Sequence, residues 1–169
     1  MKSFLLTILA LFGLFSSAPA QTPGPFRTRN AVYLEAFGSA AAYSVNYERL
    51  FAVKTRSAYG WRVGGSVFAP RLAVRVLLGE LFWLTGSRQH HADLGLALMG
   101  YNQPRFAPAS FDPPNETSLY AVPRIGYRYQ KPEGGLMLRV GFTPFIDLSS
   151  GACNCRFNPW GGLAVGYSF

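Results

Sequence analysis

The sequence predicts an all-β fold, an eight-stranded antiparallel up-and-down transmembrane β-barrel with a polar, plugged lumen. Three observations predict it. Segments of about ten residues with period-two patterning recur along the chain, each closed by turn residues. The final segment alternates apolar with small residues and ends on an aromatic, Phe169. The connections between segments alternate in length in the way membrane barrels do.

Residues 1–20 read as a secretory signal peptide. Lys2 supplies the positive start, residues 4–15 are apolar apart from Thr7 and Gly13, and Ser16-Ser17-Ala18-Pro19-Ala20 places small residues at the cleavage site. An N-terminal anchor would need roughly twenty apolar residues, and this run is too short. No cysteine follows the cleavage site, which argues against a lipid-anchored protein. Residues 21–29 form a periplasmic lead-in, and 30–169 form the barrel. No later run approaches the length of a transmembrane helix.

The expected strands cover residues 30–37, 41–51, 58–68, 73–85, 91–101, 118–130, 136–146 and 160–169. In the third, Trp61, Val63 and Val67 alternate with Arg62, Gly64, Ser66 and Phe68. In the fifth, Leu94, Leu96 and Leu98 alternate with Asp93, Gly95, Ala97 and Met99. The sixth sets Ile125, Tyr127 and Tyr129 against Arg124, Gly126, Arg128 and Gln130. The seventh sets Leu136, Leu138, Val140 and Phe142 against Met137, Arg139, Gly141 and Thr143. The eighth sets Leu163, Val165, Tyr167 and Phe169 against Ala164, Gly166 and Ser168. The fourth is ambiguous: Arg75 and Glu80 have opposite parity, so both face inward only if a bulge near Gly79 shifts the register.

Links two, four and six are short and polar, at 54–56, 86–88 and 132–135. Links one and three are tight, around Gly38-Ser39 and Ala69-Pro70. Links five and seven are long, at 102–117 and 147–159. With both termini in the periplasm, the even links are periplasmic and both long loops lie outside the cell.

Alternation alone does not say which face is inside. Glycine does: Gly64, Gly95, Gly126, Gly141 and Gly166 all share the polar face, as a cramped eight-strand interior requires. The large aromatics belong outside. A lumen network of Glu35, Glu48, Arg62, Asp93, Arg124, Arg128 and Arg139 follows, because an unpaired buried charge costs several kcal/mol.

Several segments carry a family resemblance. They are Tyr47-Glu48-Arg49-Leu50-Phe51, residues 80–86 running on to His90 and Asp93-Leu94-Gly95, Gly126-Tyr127-Arg128-Tyr129-Gln130, residues 139–144, and Gly166-Tyr167-Ser168-Phe169. Their order and spacing resemble the small outer-membrane β-barrel proteins of Bacteroidota, on the plan of OmpA/OmpX-type barrels. The resemblance implies a fold and an outer-membrane location, with no catalytic residues to carry over. The Phe169 ending resembles the insertion signal read by the barrel-assembly machinery, which would make that machinery a partner. Outer-membrane lipids and lipopolysaccharide would be the others.

Chemistry is sparse. After Lys2 is removed, the net charge is +7, but 13 of the 16 basic residues are scattered arginines, so no basic run suits nucleic acid. His90 and His91, the only histidines, read as turn residues rather than as a metal site or a base. Cys153-Asn154-Cys155 lies in the last outer loop. Export permits a disulfide there, although a C-x-C ring is small. Asn115-Glu116-Thr117 matches a glycosylation pattern of doubtful meaning in a bacterium. No phosphate-binding glycine pattern occurs, and no cofactor or metal is expected.

The function these features imply is non-enzymatic: an envelope-structural or surface-contact barrel acting through its two long loops. The alternatives are an outer-membrane lipid-modifying enzyme, which needs a nucleophile and base together near the outer rim, and a secreted lipocalin-like barrel with its apolar face inside. A passive pore ranks last, because eight strands leave room only for side chains.

Overall fold

The computed structural model of the chain describes residues 26–68, 74–104, 115–148 and 157–169. The expected signal peptide, Cys153, Cys155, link three and most of both long loops lie outside the described residues. Among the described residues ten strands are present: β1 Asn30–Ala36, β2 Tyr43–Val53, β3 Ser57–Phe68, β4 Val74–Ser87, β5 His90–Pro104, β6 Asn115–Gln130, β7 Gly135–Phe142, β8 Phe145–Asp147, β9 Phe157–Asn158 and β10 Gly161–Ser168. Their order is β5-β4-β3-β2-β1-β10-β7-β6, and β6 pairs back onto β5. The sheet is therefore a closed, antiparallel, eight-walled barrel with no helix among the described residues.

Walls seven and eight are each built in two pieces. After β7, Thr143 donates its backbone N–H to the carbonyl of Trp160 at 2.8 Å. Pro144 follows, a residue that cannot donate to a ladder. The chain then resumes as β8 against β6 (Ala121↔Ile146) and β9 pairs with β8. The expected unbroken strand 136–146 is corrected to this interrupted one.

The ambiguity of the fourth strand is settled without a bulge near Gly79. The β3–β4 register runs without a break from Ser57↔Thr85 to Phe68↔Val74. Strict alternation therefore turns Glu80 into the lumen, where it is buried, and leaves Arg75 on the outer face. The irregularity lies instead in β2, between Leu50 and Ala52.

The turns at the end carrying both termini are short, as expected. One is the β6–β7 turn, where Gly134 and Gly135 take φ of +94° and +102°, values that side chains with a Cβ rarely adopt. At this end Asn30 and Phe169 exchange both backbone hydrogen bonds, at 3.0 and 2.8 Å. The lead-in tucks beneath the barrel. The N–H groups of Arg27 and Thr28 donate to the carbonyl of Pro132, which sets Phe26 into the barrel mouth.

The two faces are inverted relative to a soluble barrel. The outer face is apolar: Leu34, Leu77, Leu81, Ile125, Leu163 and Tyr167 are all more than half exposed. The inner face buries the charges. It also holds apolar clusters at both ends, which the sequence had not suggested. Near the loop end Val76, Leu78, Ala97, Met99, Val122 and Phe145 pack together. Near the termini Phe26, Leu50, Ala58, Phe82 and Leu84 do so. The plugged lumen is thus a polar layer held between two apolar ones.

Candidate functional site

The polar layer is drawn from seven of the eight walls. Tyr33 and Glu35 come from β1, Glu48 from β2, Arg62 from β3, Glu80 from β4, Asp93 from β5, Arg124 and Arg128 from β6, and Arg139 from β7. Each sits at an inward position of its alternation, and none is more than 4% exposed. The eighth wall, β10, contributes small residues instead. A Cβ on Gly166 would strike Tyr33 Cβ and the carbonyl of Val32, so glycine is what admits the Tyr33 ring to the lumen. Gly95 does the same for Glu80, whose carboxylate fills the place its Cβ would take.

Four arginines and four carboxylates alternate in one unbroken line. Glu35 meets Arg62 at 3.3 Å, and Arg62 Nε meets Glu80 at 2.6 Å. The other oxygen of Glu80 meets Arg124 Nη2 at 2.6 Å, and the same nitrogen reaches Asp93 at 3.0 Å. Asp93 Oδ2 meets Arg139 Nε at 2.8 Å, and Arg139 Nη2 meets Glu48 at 2.9 Å. Glu48 then ends the line on Arg128 Nη2. Tyr33 closes part of the line into a ring. Its hydroxyl oxygen accepts from Arg62 Nη1 at 3.0 Å and from Arg139 Nη1 at 2.6 Å. The Arg139 guanidinium also lies 4.9 Å from the centroid of the Tyr33 ring.

All seven residues expected in the lumen (Glu35, Glu48, Arg62, Asp93, Arg124, Arg128 and Arg139) are placed in this line. Sequence reasoning missed two members, Glu80 and Tyr33. The β3–β4 register sets Glu80 directly opposite Arg62, a pairing that the sequence's ambiguous fourth strand did not fix. Tyr33 carried a signal, its parity with Glu35 two residues away, but large aromatics had been assigned to the outer face.

The line is electrically neutral, so the chain's formal charge of +8 comes from residues outside it. Neutrality matters here. Removing one member leaves an uncompensated buried charge, at a cost of about 3–5 kcal/mol. Arginines separate every pair of carboxylates, so no acid dyad forms. Among the described residues no group of three or more metal ligands exists. Arg62 and Arg128 are 1% exposed, and no open water channel passes groups so covered.

The histidines diverge. His90 faces outward against Tyr127 and Tyr129, with Nδ1 2.5 Å from the Tyr127 hydroxyl. His91 is not the turn residue expected: it lies in β5, is 1% exposed, and packs 4.6 Å from the Phe26 ring. Its parity with Asp93, two residues away, already placed it inside. The two imidazoles stand on opposite faces of one wall and cannot act on one substrate.

No protein-family model matches the chain, and no curated protein matches it. Among solved structures, the chain is similar to the N-terminal β-barrel domain of Pseudomonas aeruginosa OprF, with a TM-score of 0.55 at 15% sequence identity. The match covers 84% of this chain and 99% of that one. At this identity the likeness shows the fold, a closed barrel like that of an outer-membrane protein domain.

Proposed function

We propose that the chain is a small integral outer-membrane β-barrel with no enzymatic activity, serving envelope structure or surface contact through the connections between β5 and β6 and between β8 and β9, which fall within the expected loops 102–117 and 147–159. One observation carries this reading: the barrel buries eight charges and exposes leucines, valines and aromatics around its whole circumference. In water such a surface would aggregate, whereas in a bilayer it meets hydrocarbon. The OprF domain supports the location by analogy of fold alone.

Two observations weigh against the alternatives. A lipocalin-like carrier needs an apolar ligand cavity where this barrel holds its ion line. A lipid-modifying enzyme needs a nucleophile and base together near the outer rim, whereas both histidines lie at the termini end on opposite faces of the wall.

The test is fractionation of native cells, followed by electrophoresis of the detergent-extracted protein with and without boiling. Recovery in the outer membrane with faster migration of the unboiled form is the expected result. A protein recovered in the soluble fraction without detergent overturns the reading.

A further inference from the structure

A groove of about 750 Å³ opens on the outer face, toward the end away from the termini. Its floor follows from the register. Gly65 of β3 and Gly100 of β5 flank Leu77 of β4 as direct partners on either side. A Cβ on Gly100 would meet only the carbonyl oxygen of Leu77, at 3.9 Å. The floor on either side of Leu77, which is 72% exposed, is therefore backbone, and Tyr43 and Val45 of β2 form its far side.

The rim above is polar, again by register. Arg75 pairs with Asn102 and Asn102 with Thr117, which makes one row across β4, β5 and β6. Asn102 Nδ2 donates to Thr117 Oγ1 at 2.9 Å. Arg75 is exposed, and among the described residues no carboxylate pairs with it. It lies two residues, roughly 6–7 Å along the strand, above Leu77. The four lumen arginines each have a carboxylate partner, whereas this one stands at the top of an apolar hollow with polar neighbours and, among the described residues, no counter-ion.

We infer that this groove binds a phosphorylated acyl lipid of the outer leaflet, with its phosphate on Arg75 and an acyl chain lying over Gly65 and Gly100. A guanidinium fork matches a phosphate in shape and charge. The glycines leave room for a chain to lie against the backbone, and covering the hollow removes apolar surface that bulkier residues would otherwise fill. The inference rests on the outer face meeting lipid.

The experiment is native mass spectrometry of the full chain refolded in a neutral detergent and titrated with phosphatidylglycerol or phosphatidylcholine. The chains compared are the wild type, Arg75→Gln and Gly100→Leu, and heat-modified migration shows that each has folded. Arg75→Gln should weaken both lipids about tenfold, because each carries the phosphate and loses one charge-assisted contact. Gly100→Leu should weaken both lipids by occluding the hollow. Equal lipid binding by all three chains overturns the inference. So does full competition by inorganic phosphate with no effect of Gly100→Leu, which would mark a bare anion patch. A wild-type chain that needs no detergent to stay soluble overturns the membrane reading together with the site, and it does so before any lipid is added.

Discussion

Arg128 of β6 and Arg139 of β7 face each other directly in register, both inside the barrel. Like charges opposed across a ladder are destabilising. Here Glu48, from β2, reaches between them and gives one carboxylate oxygen to each. The partner that makes the pair tolerable is therefore neither a neighbour in sequence nor on an adjacent strand.

Removing that partner should be the most damaging single change in the lumen. Glu48→Gln should destabilise the folded barrel by about 3–5 kcal/mol. Glu35→Gln should cost less, since Glu35 ends the line and holds a single arginine. The temperature at which unboiled protein loses its compact migration ranks the two. A double change, Glu48→Gln with Arg128→Met, should recover part of the loss, because one of the opposed charges is gone. Additive losses would show that Glu48 does not screen the pair.

Tyr33 joins Arg62 to Arg139 through one hydroxyl. Tyr33→Phe keeps the ring beneath the guanidinium and deletes only the acceptor. Hydrogen bonds to charged groups contribute about 1.5–3 kcal/mol, so a loss in that range is expected. Urea unfolding in lipid vesicles measures it, and an unchanged midpoint would mean that the carboxylates alone hold both arginines.

Two glycines should respond in opposite ways to the same added methyl group. Gly166→Ala forces Cβ into Tyr33 and the Val32 backbone, and overpacking of this kind costs about 1–3 kcal/mol. Gly79→Ala meets open space. It should be neutral to within about 0.5 kcal/mol, as exposed substitutions usually are. Thermal migration of the two variants side by side tests both. Equal losses would mean that Gly79 is covered by something.

The lead-in should act as a stopper. Phe26 completes the lower apolar cluster and covers His91. Phe26→Ala should expose His91 to an imidazole-modifying reagent while His90, already outside, reacts as before. Protection of His91 in that variant would show that the barrel closes without its lead-in.

Leu96 lies on the outer face midway along β5 and is 57% exposed. If that face meets hydrocarbon, Leu96→Arg should cost about 2–4 kcal/mol in vesicles, the midplane figure for a lipid-facing arginine. A negligible cost would place Leu96 in water or at the interface.

Period-two patterning determined most of this protein from its sequence. A strand residue has only two faces available, so the alternation of β3, β5, β6, β7 and β10 decided which side chains share the interior. Gly64, Gly95, Gly126, Gly141 and Gly166, which share the face of the charges and suit a cramped lumen, decided which side that interior was. Where alternation was flat, the sequence was mute. β4 turns Val76, Leu78, Phe82 and Leu84 inward as well as Leu77 and Leu81 outward. Its pattern therefore hid both Glu80 and the apolar layers above and below the charges. Parity also assigns a face without assigning a partner. Glu48 lies opposite Arg62 in register, yet it grips Arg128 and Arg139 from across the lumen, while Arg62 turns to Glu80 and Glu35. Only closure of the sheet, which brings β2 within reach of β6 and β7, decided that, because distance across a barrel depends on strand tilt and stagger, which no local pattern records.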